Sequence, residues 1–507
     1  MQNKYIERIL TARVYDVARE TPMELAAGLS RRLDNDVLLK REDLQPVFSF
    51  KLRGAYNKIS RMSADRLSRG VICASAGNHG QGVALAAQKR GVRAVIVMPT
   101  TTPSIKVQAV QALGGETISY GQTYDDAYGH ALELAEAQGL EFIHPFDDPD
   151  IIAGQGTVGM EMLRQAPEQL DAIFIPVGGG GLAAGVATYV KYLHPETRVI
   201  GVEPDDAGSM HAALEAGEPV TLKQVGIFAD GVSVRRVGDE TFRLCKEFLD
   251  EVILVSTDEI CAAIKDIFTD TRSISEPSGA LAVAGLKRYL ELHPASGQKL
   301  AAIVTGANMN FDRLGHVAER ANIGEHTEAL FAVEIPEEPG SFLHFCETLG
   351  QRVVTEFNYR YGDNSQARIF VGIQLQHGIR EREQVLKHLR DSGFNTLDMS
   401  DNELAKLHVR HMVGGSGPSL EDEHLFRFEF PERPGALMNF LKAVGSKWNI
   451  SLFHYRNHGS DYGRVLAGVQ VPEQDWEEFE QHLSELGFAY WEETDNPAYR
   501  MFLGPKD

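Results

Sequence analysis

Lys51 lies between Phe50 and Leu52 in the stretch FSFKLRGA, so a group that is normally an ammonium ion has apolar neighbours on both sides. Burial of a lysine lowers its pKa and yields a neutral amine that can act as base or nucleophile. The plainer reading is an aliphatic stem on the surface with its charge in water. The Arg-Gly-Ala that comes after Leu52 includes two small residues, which suit the approach of a bulky ligand. A second stretch, IPVGGGGLAAGVATYVK, sets Gly178, Gly179, Gly180 and Gly181 between a strand-like run and a helix-like one. Backbone amides freed of side chains there converge on an anion, helped by the positive end of the helix dipole. A flexible turn is the alternative for so short a glycine run. The same residues satisfy G-x-G-x-x-A through Gly179, Gly181 and Ala184, with Glu203 ending the next strand roughly 20 residues further on, so a dinucleotide-dependent dehydrogenase is a competing reading. That reading does not account for Lys51. A third stretch, SAGNHGQG, gathers Ser75, Gly77, Asn78 and His79 in a loop able to offer amides and hydroxyls to a carboxylate. His79 by itself suits a structural turn better than proton transfer.

The elements that must position these groups follow from the hydrophobic pattern. From Val71 to Gly306 the runs VICAS, AVIVMP, FIHPF, AIFIPVG, RVIGVEP, EVILVS and AAIVTG alternate with helix-length segments. Near-continuous apolar strands of this kind form parallel sheets covered on both faces, and ligands collect at their C-terminal edges. Several runs end there in glycine, serine or threonine, as in CASAGNHGQG, VGGGGLAAG and VTGAN. After residue 325 the texture changes and the chain repeats itself. LFAVEIPEEPGSFLHF from Leu330 matches LFRFEFPERPGALMNF from Leu425, and NYRYGDNSQARIFVGIQL matches HYRNHGSDYGRVLAGVQV, which aligns Tyr359 with Tyr455. Each copy reads as a βαββαβ unit of ferredoxin type.

At 507 residues several domains are expected, about three by the usual domain size. A composition of 43% hydrophobic and 24% charged residues suits a globular protein, and the net charge of −21 argues against a nucleic-acid partner. Cys73, Cys245, Cys261 and Cys346 lack metal-like or disulfide-like spacing, which suits a reducing compartment and no structural metal. MQNKYIERIL lacks the apolar core of a signal peptide and no run reaches the ~20 apolar residues of a membrane span, so a cytoplasmic location away from membranes is expected.

SFKLRGA, SAGNHGQG, VGGGGL and TGAN, in this order, with KREDLQPVFSFKLRGAYNKI and SEPSGA, resemble the fold type II pyridoxal-phosphate enzymes, in particular the serine and threonine ammonia-lyases. VTEFNYR, AKLHVRHMVGG and NISLFHYRNHG resemble the paired ACT-like regulatory modules of the biosynthetic threonine ammonia-lyases. The resemblance implies an α/β catalytic domain of two parallel-sheet subdomains over residues 1–325, and ferredoxin-like α+β modules at 329–401 and 423–494. It implies pyridoxal 5'-phosphate held covalently by Lys51, with Asn78 at the ring hydroxyl, Gly178 to Gly181 and Leu182 at the phosphate, and Thr305 facing the ring nitrogen where the family usually has serine. Ser75, Gly77 and His79 would hold the substrate carboxylate, and the segments around Asp230 and Glu276 would line the site. The implied reaction is β-elimination on L-threonine to 2-oxobutanoate and ammonia, with some L-serine deamination, in a homotetramer inhibited by isoleucine and opposed by valine. Tyr359 and Tyr455 are candidate effector contacts, although aromatic residues there equally suit a core. An amino-acid-binding regulator with a dead catalytic core is the remaining alternative.

Overall fold

The computed structural model describes residues 2–499 except 167, 337–339, 351, 361–365, 408, 412–421, 432–446, 457–461, 487–488 and 497–498. The chain divides into two compact units, Met1–Gly324 and Glu325–Asp507.

The first unit holds two sheets. In the larger, the strands run Met23–Leu25, Asp36–Arg41, Lys299–Val304, Ala172–Pro176, Arg198–Pro204 and Glu251–Val255 in spatial order, all parallel except the first. In the smaller, Glu116–Ser119, Ala94–Met98, Val71–Ala74 and Glu141–Phe142 are all parallel. The apolar runs of the sequence supply these strands, and their valine, isoleucine and alanine side chains are buried against helices. FIHPF yields only its leading edge as a strand, Glu141–Phe142. Asp36–Arg41 has the opposite history, because a strand ending in lysine and arginine does not read as buried. Its Lys40 is nonetheless fully enclosed, 2.6 Å from Glu161. Arg53, also fully enclosed, joins Glu161 at 2.6 Å and Glu42 at 2.7 Å. The charges are tolerated because each has a partner and its hydrogen bonds are made.

The helix Lys51–Arg61 crosses Pro149–Gln165 at close range. A Cβ on Gly54 would stand 2.9 Å from the Ile151 carbonyl oxygen, and one on Gly154 would stand 2.7 Å from that of Arg53. Gly54 therefore serves helix packing, which corrects its reading as room for a ligand.

The second unit contains a βαββαβ module and a second module whose described elements match it outside residues 432–446. Glu328–Pro336, Ser341–Leu349, Val354–Arg360, Gln366–Gln374, Gly378–Asp391 and Asn395–Asp398 form the first, with strand order 4-1-3-2. Glu423–Pro431, Asn449–Arg456, Tyr462–Gln470, Trp476–Leu486 and Ala489–Glu492 repeat that order, while Pro434-Gly435 lies outside the described residues. Val354–Arg360 pairs antiparallel with Asn449–Arg456, which fuses the modules into one eight-stranded sheet. Tyr359 faces Phe453 across this seam and Phe357 faces Tyr455. Both tyrosines are buried in a shared apolar core, 4% and 2% exposed.

Candidate active site

A cavity of about 150 Å³ opens where the C-terminal edges of the first unit's two sheets meet, and Lys51, Ser75, Gly77, Asn78, His79, the 178–182 loop and Thr305 all line it. The first unit thus brings together every catalytic, cofactor and substrate residue expected from the sequence. Tyr359 and Tyr455 belong to the other unit, inside its apolar core.

Lys51 is the first residue of its helix. The preceding loop is stitched to the loop after Lys299–Val304: the Phe50 N–H donates to the Thr305 carbonyl, the Ala307 N–H donates to that of Phe48, and Ser49 bridges Gly306. Phe48 adopts a left-handed φ of 53°, a conformation that costs a non-glycine residue about 1–2 kcal/mol. The stitching holds the lysine opposite Thr305. Among the described residues the Lys51 Nζ has no hydrogen-bond or ion-pair partner, and it lies 5.2 Å from the Phe50 ring centre. Burial pushes its pKa down to about 8 against the opposing pull of Glu276.

The glycine loop leads into the helix Gly181–Leu193. Gly180 has φ 94°, and a Cβ on Gly179 would strike the Phe146 ring at 2.2 Å. Glycine is thus required twice in succession. The Gly179 carbonyl is tied back by the Thr241 hydroxyl at 2.6 Å, and that of Gly180 by the Ala184 N–H. Amides at a helix N-terminus are suited to a phosphate.

Ser75 Oγ accepts the N–H groups of Gly77 and Gly80 at 3.1 and 2.9 Å, and its own hydrogen is left to donate. His79 is spent differently: Nε2 donates to the Ile143 carbonyl at 2.9 Å, and burial, then the charge of Lys51, push its pKa down to about 3. The ring is neutral and fixed. Thr305 Oγ1 donates to the Ser278 carbonyl at 3.2 Å.

Four further groups complete the wall. Ser278 Oγ is buried without a hydrogen-bond partner. Glu276 is buried and accepts from Asn78 Nδ2 at 2.6 Å; burial, then Asp230, push its pKa up to about 7 against Lys106, Asn78 and Lys51. Lys106 and Asp230 pair at 2.6 Å across the cavity. Sequence reading placed Asp230 and Glu276 only by segment, and it missed Lys106 and Ser278. One of the two serines of SEPSGA and a lysine on a helix carry no local mark of a shared cavity.

An unpartnered amine, an amide-lined cradle and an orphaned hydroxyl fit pyridoxal phosphate. Lys51 would hold its aldehyde carbon, residues 178–182 its phosphate, and Thr305 and Ser278 its polar ring positions. A dinucleotide fits less well. Glu203, the acid that pattern requires, is buried and accepts the N–H groups of Met210 and His211 at 2.8 Å each, so it caps a helix. No cluster of metal-ligating side chains occurs among the described residues, and no described helix is long and apolar enough to cross a membrane.

Comparison with known proteins agrees with this geometry. The family described as pyridoxal-phosphate dependent enzyme matches residues 14–306, and the C-terminal regulatory domain of threonine dehydratase matches residues 319–409 and 414–503. The chain is 60% identical to the L-threonine dehydratase biosynthetic IlvA of Burkholderia multivorans over 98% of this chain and 99% of that one. It is 54% identical to the protein of the same name from Escherichia coli, over 99% and 97%. Among solved structures it is similar to the processed form of threonine deaminase isoform 2 from Solanum lycopersicum, with TM-score 0.62 and 54% identity, covering 63% of this chain and 93% of that one. With both the pyridoxal-phosphate family and the regulatory family matched and relatives at 54–60% identity over nearly the full length, the chain belongs to the biosynthetic threonine dehydratases, pyridoxal-phosphate-dependent ammonia-lyases.

Proposed function

We propose that residues 1–325 eliminate water and then ammonia from L-threonine, giving 2-oxobutanoate, with some L-serine deamination. The observation that carries this reading is the unpartnered Lys51 amine, lowered to about 8 and sharing one cavity with the glycine cradle. Pyridoxal phosphate, when bound, supplies an electron sink for the pair left at the substrate Cα.

The protein's own groups do the rest. The 178–182 loop would bind the phosphate. Ser75 and the amides around Gly77 orient the substrate carboxylate, which directs the Cα–H toward Lys51. The Lys51 amine anchors the cofactor and, once displaced by the substrate amine, takes the Cα proton as general base; it then returns as nucleophile to free the product. The β-hydroxyl departs with a proton as water, which balances the proton that Lys51 takes from Cα, and the released unsaturated amine hydrolyses to the keto acid and ammonia. Thr305 presents a neutral hydroxyl that rotates between the Ser278 carbonyl and the cavity, so it cannot protonate a ring nitrogen as a carboxylic acid would.

The modules at 329–401 and 423–494 bind amino-acid effectors, with isoleucine inhibiting and valine opposing it. An effector works by binding two states of the enzyme unequally, typically with ~1–3 kcal/mol of coupling. The membership of the regulatory family over both copies supports this reading. Tyr359 and Tyr455, buried in the core, act on effector binding through packing. A homotetramer in the cytoplasm is the setting we infer, and four buried cysteines outside any disulfide suit it.

The test is keto-acid release from threonine and serine, with and without isoleucine, by the full chain and by Lys51→Ala. Expected are threonine turnover suppressed several-fold by isoleucine and no turnover or lysine-bound cofactor absorption in the variant. A variant that keeps both overturns the reading.

A further inference from the structure

Asn78 does not sit in the cavity wall alone. Its amide is gripped at both ends by residues from two other parts of the chain, Asn308 and Glu276. Asn308 Nδ2 donates to the Val47 carbonyl at 2.9 Å and to Asn78 Oδ1 at 2.7 Å. Asn78 Nδ2 in turn donates to Glu276 Oε1 at 2.6 Å.

The direction of this chain of hydrogen bonds is set by its first member. A backbone carbonyl can only accept, so the nitrogen of Asn308 must face Val47. That nitrogen has one hydrogen left, and it can be given only to the oxygen of Asn78. The nitrogen of Asn78 is thereby turned toward Glu276, whose carboxylate oxygen accepts. A reversed Asn78 would set two N–H groups against each other on one side and two oxygens on the other. Glu276 is itself braced, because its N–H donates to the Gly306 carbonyl, and a Cβ on Gly306 would lie 2.4 Å from its Oε1. The second Nδ2 hydrogen of Asn78 then remains for the cavity that its side chain lines.

We propose that Asn308 and Glu276 are positioning residues that lock Asn78 with its donor face toward the cofactor's ring oxygen. The inference rests on the reading of Asn78 as a cofactor contact. An anionic ring oxygen meets a hydrogen in the locked orientation, and in the reversed one it would meet the Asn78 carbonyl oxygen. Neither positioning residue carries out proton transfer in this role.

The polarity of the chain can be reversed at constant charge. In the double variant Asn308→Asp/Glu276→Gln the carboxylate moves to one end and the amide to the other, so a reversed Asn78 keeps a partner on both sides, while the bond from residue 308 to the Val47 carbonyl is lost. The readouts are the dissociation constant for pyridoxal phosphate, the absorption maximum of the bound cofactor, and the thermal midpoint of the cofactor-free protein. The expected result is a thermal midpoint close to that of Asn308→Ala, which loses the same bond to Val47, a dissociation constant raised about tenfold or more, as befits one charge-assisted hydrogen bond, and a shifted absorption maximum. Glu276→Gln alone keeps the original direction, because the new amide still offers an oxygen, and should bind the cofactor within about twofold of the parent. Asn308→Ala only frees the amide to turn, and should weaken binding by a few-fold without reversing it. Parent-like affinity and absorption in the double variant overturn the proposal, as does a loss in Glu276→Gln equal to that of the double variant. If the double variant does not fold, parent-like values in Asn308→Ala overturn it. Failure of the parent itself to take up pyridoxal phosphate would instead reject the cofactor reading of Asn78.

Discussion

An ordinary lysine with a pKa near 10.5 is only about 0.3% neutral at pH 8, whereas Lys51, lowered to about 8, is half neutral there. In the cofactor-free protein an amine-directed acylating reagent at pH 8 should therefore modify Lys51 in preference to surface lysines, with a rate that rises through pH 8. Peptide mass spectrometry reads the site, and uniform labelling that follows a pKa near 10.5 would reject the lowered value. Because the folded protein holds fewer protons on this amine than the unfolded chain between pH 8 and 10.5, its contribution to stability increases as pH rises through that window. The lysine, the glycine cradle and the asparagine loop could be read from the sequence because each carries its mark locally, in the residues flanking one strand end or one helix start, whereas Thr305 could be read only through the family resemblance. Asn308 and Ser278 could be read in neither way. Asn308 meets Asn78 across 230 positions of chain, and the orphaned hydroxyl of Ser278 is defined by what fails to reach it.

At the scale of elements, the Lys51 helix is anchored two residues further on by Arg53, which is clamped between Glu42 and Glu161 with Lys40 completing the cluster. Removing one partner from such a group leaves an uncompensated buried charge. Arg53→Met should lower stability by about 3–5 kcal/mol, read as a drop in the denaturation midpoint, and a change below about 1 kcal/mol would show that the cluster is not needed. Burial would raise the Glu42 carboxyl, but Arg53, then Lys40 and Thr21, hold it below its ordinary 4.5. The stabilisation is thus complete above that pH and is lost as pH falls through the lowered value. Glu42→Gln should flatten the acid limb of the stability profile. This cluster also explains why the strand Asp36–Arg41 escaped the hydrophobic pattern while its apolar neighbours did not: its burial is supported by ion pairs from three other segments. The short polar strand Glu116–Ser119 escaped for a different reason, since it sits at a sheet edge and needs no apolar run.

On the scale of the whole molecule, the repeat was visible as sequence, yet the fusion of its copies into one sheet was not, because strand pairing between copies leaves no trace in either. The seam is packed by Phe453, whose ring lies 5.4 Å from that of Phe342 and 5.7 Å from that of Phe357. A charge placed there should separate the modules: Phe453→Asp is expected to keep threonine turnover within about twofold while abolishing inhibition by isoleucine, and an unchanged isoleucine response would exclude the seam from regulation. The sheet ends on Asn395–Asp398 and Ala489–Glu492, four residues each, while the seven- and eight-residue strands Val354–Arg360 and Asn449–Arg456 are hidden in its middle. Each copy thereby covers the long strand edge that would make the other self-associate. Neither can be deleted without exposing its sibling, so one copy is free to lose or change its ligand over evolutionary time and still be retained as a lid on its twin. Where the first copy has Glu356 beside Arg410, the second has Leu452 in an apolar cluster with Leu425 and Tyr499, a divergence that such enforced partnership permits.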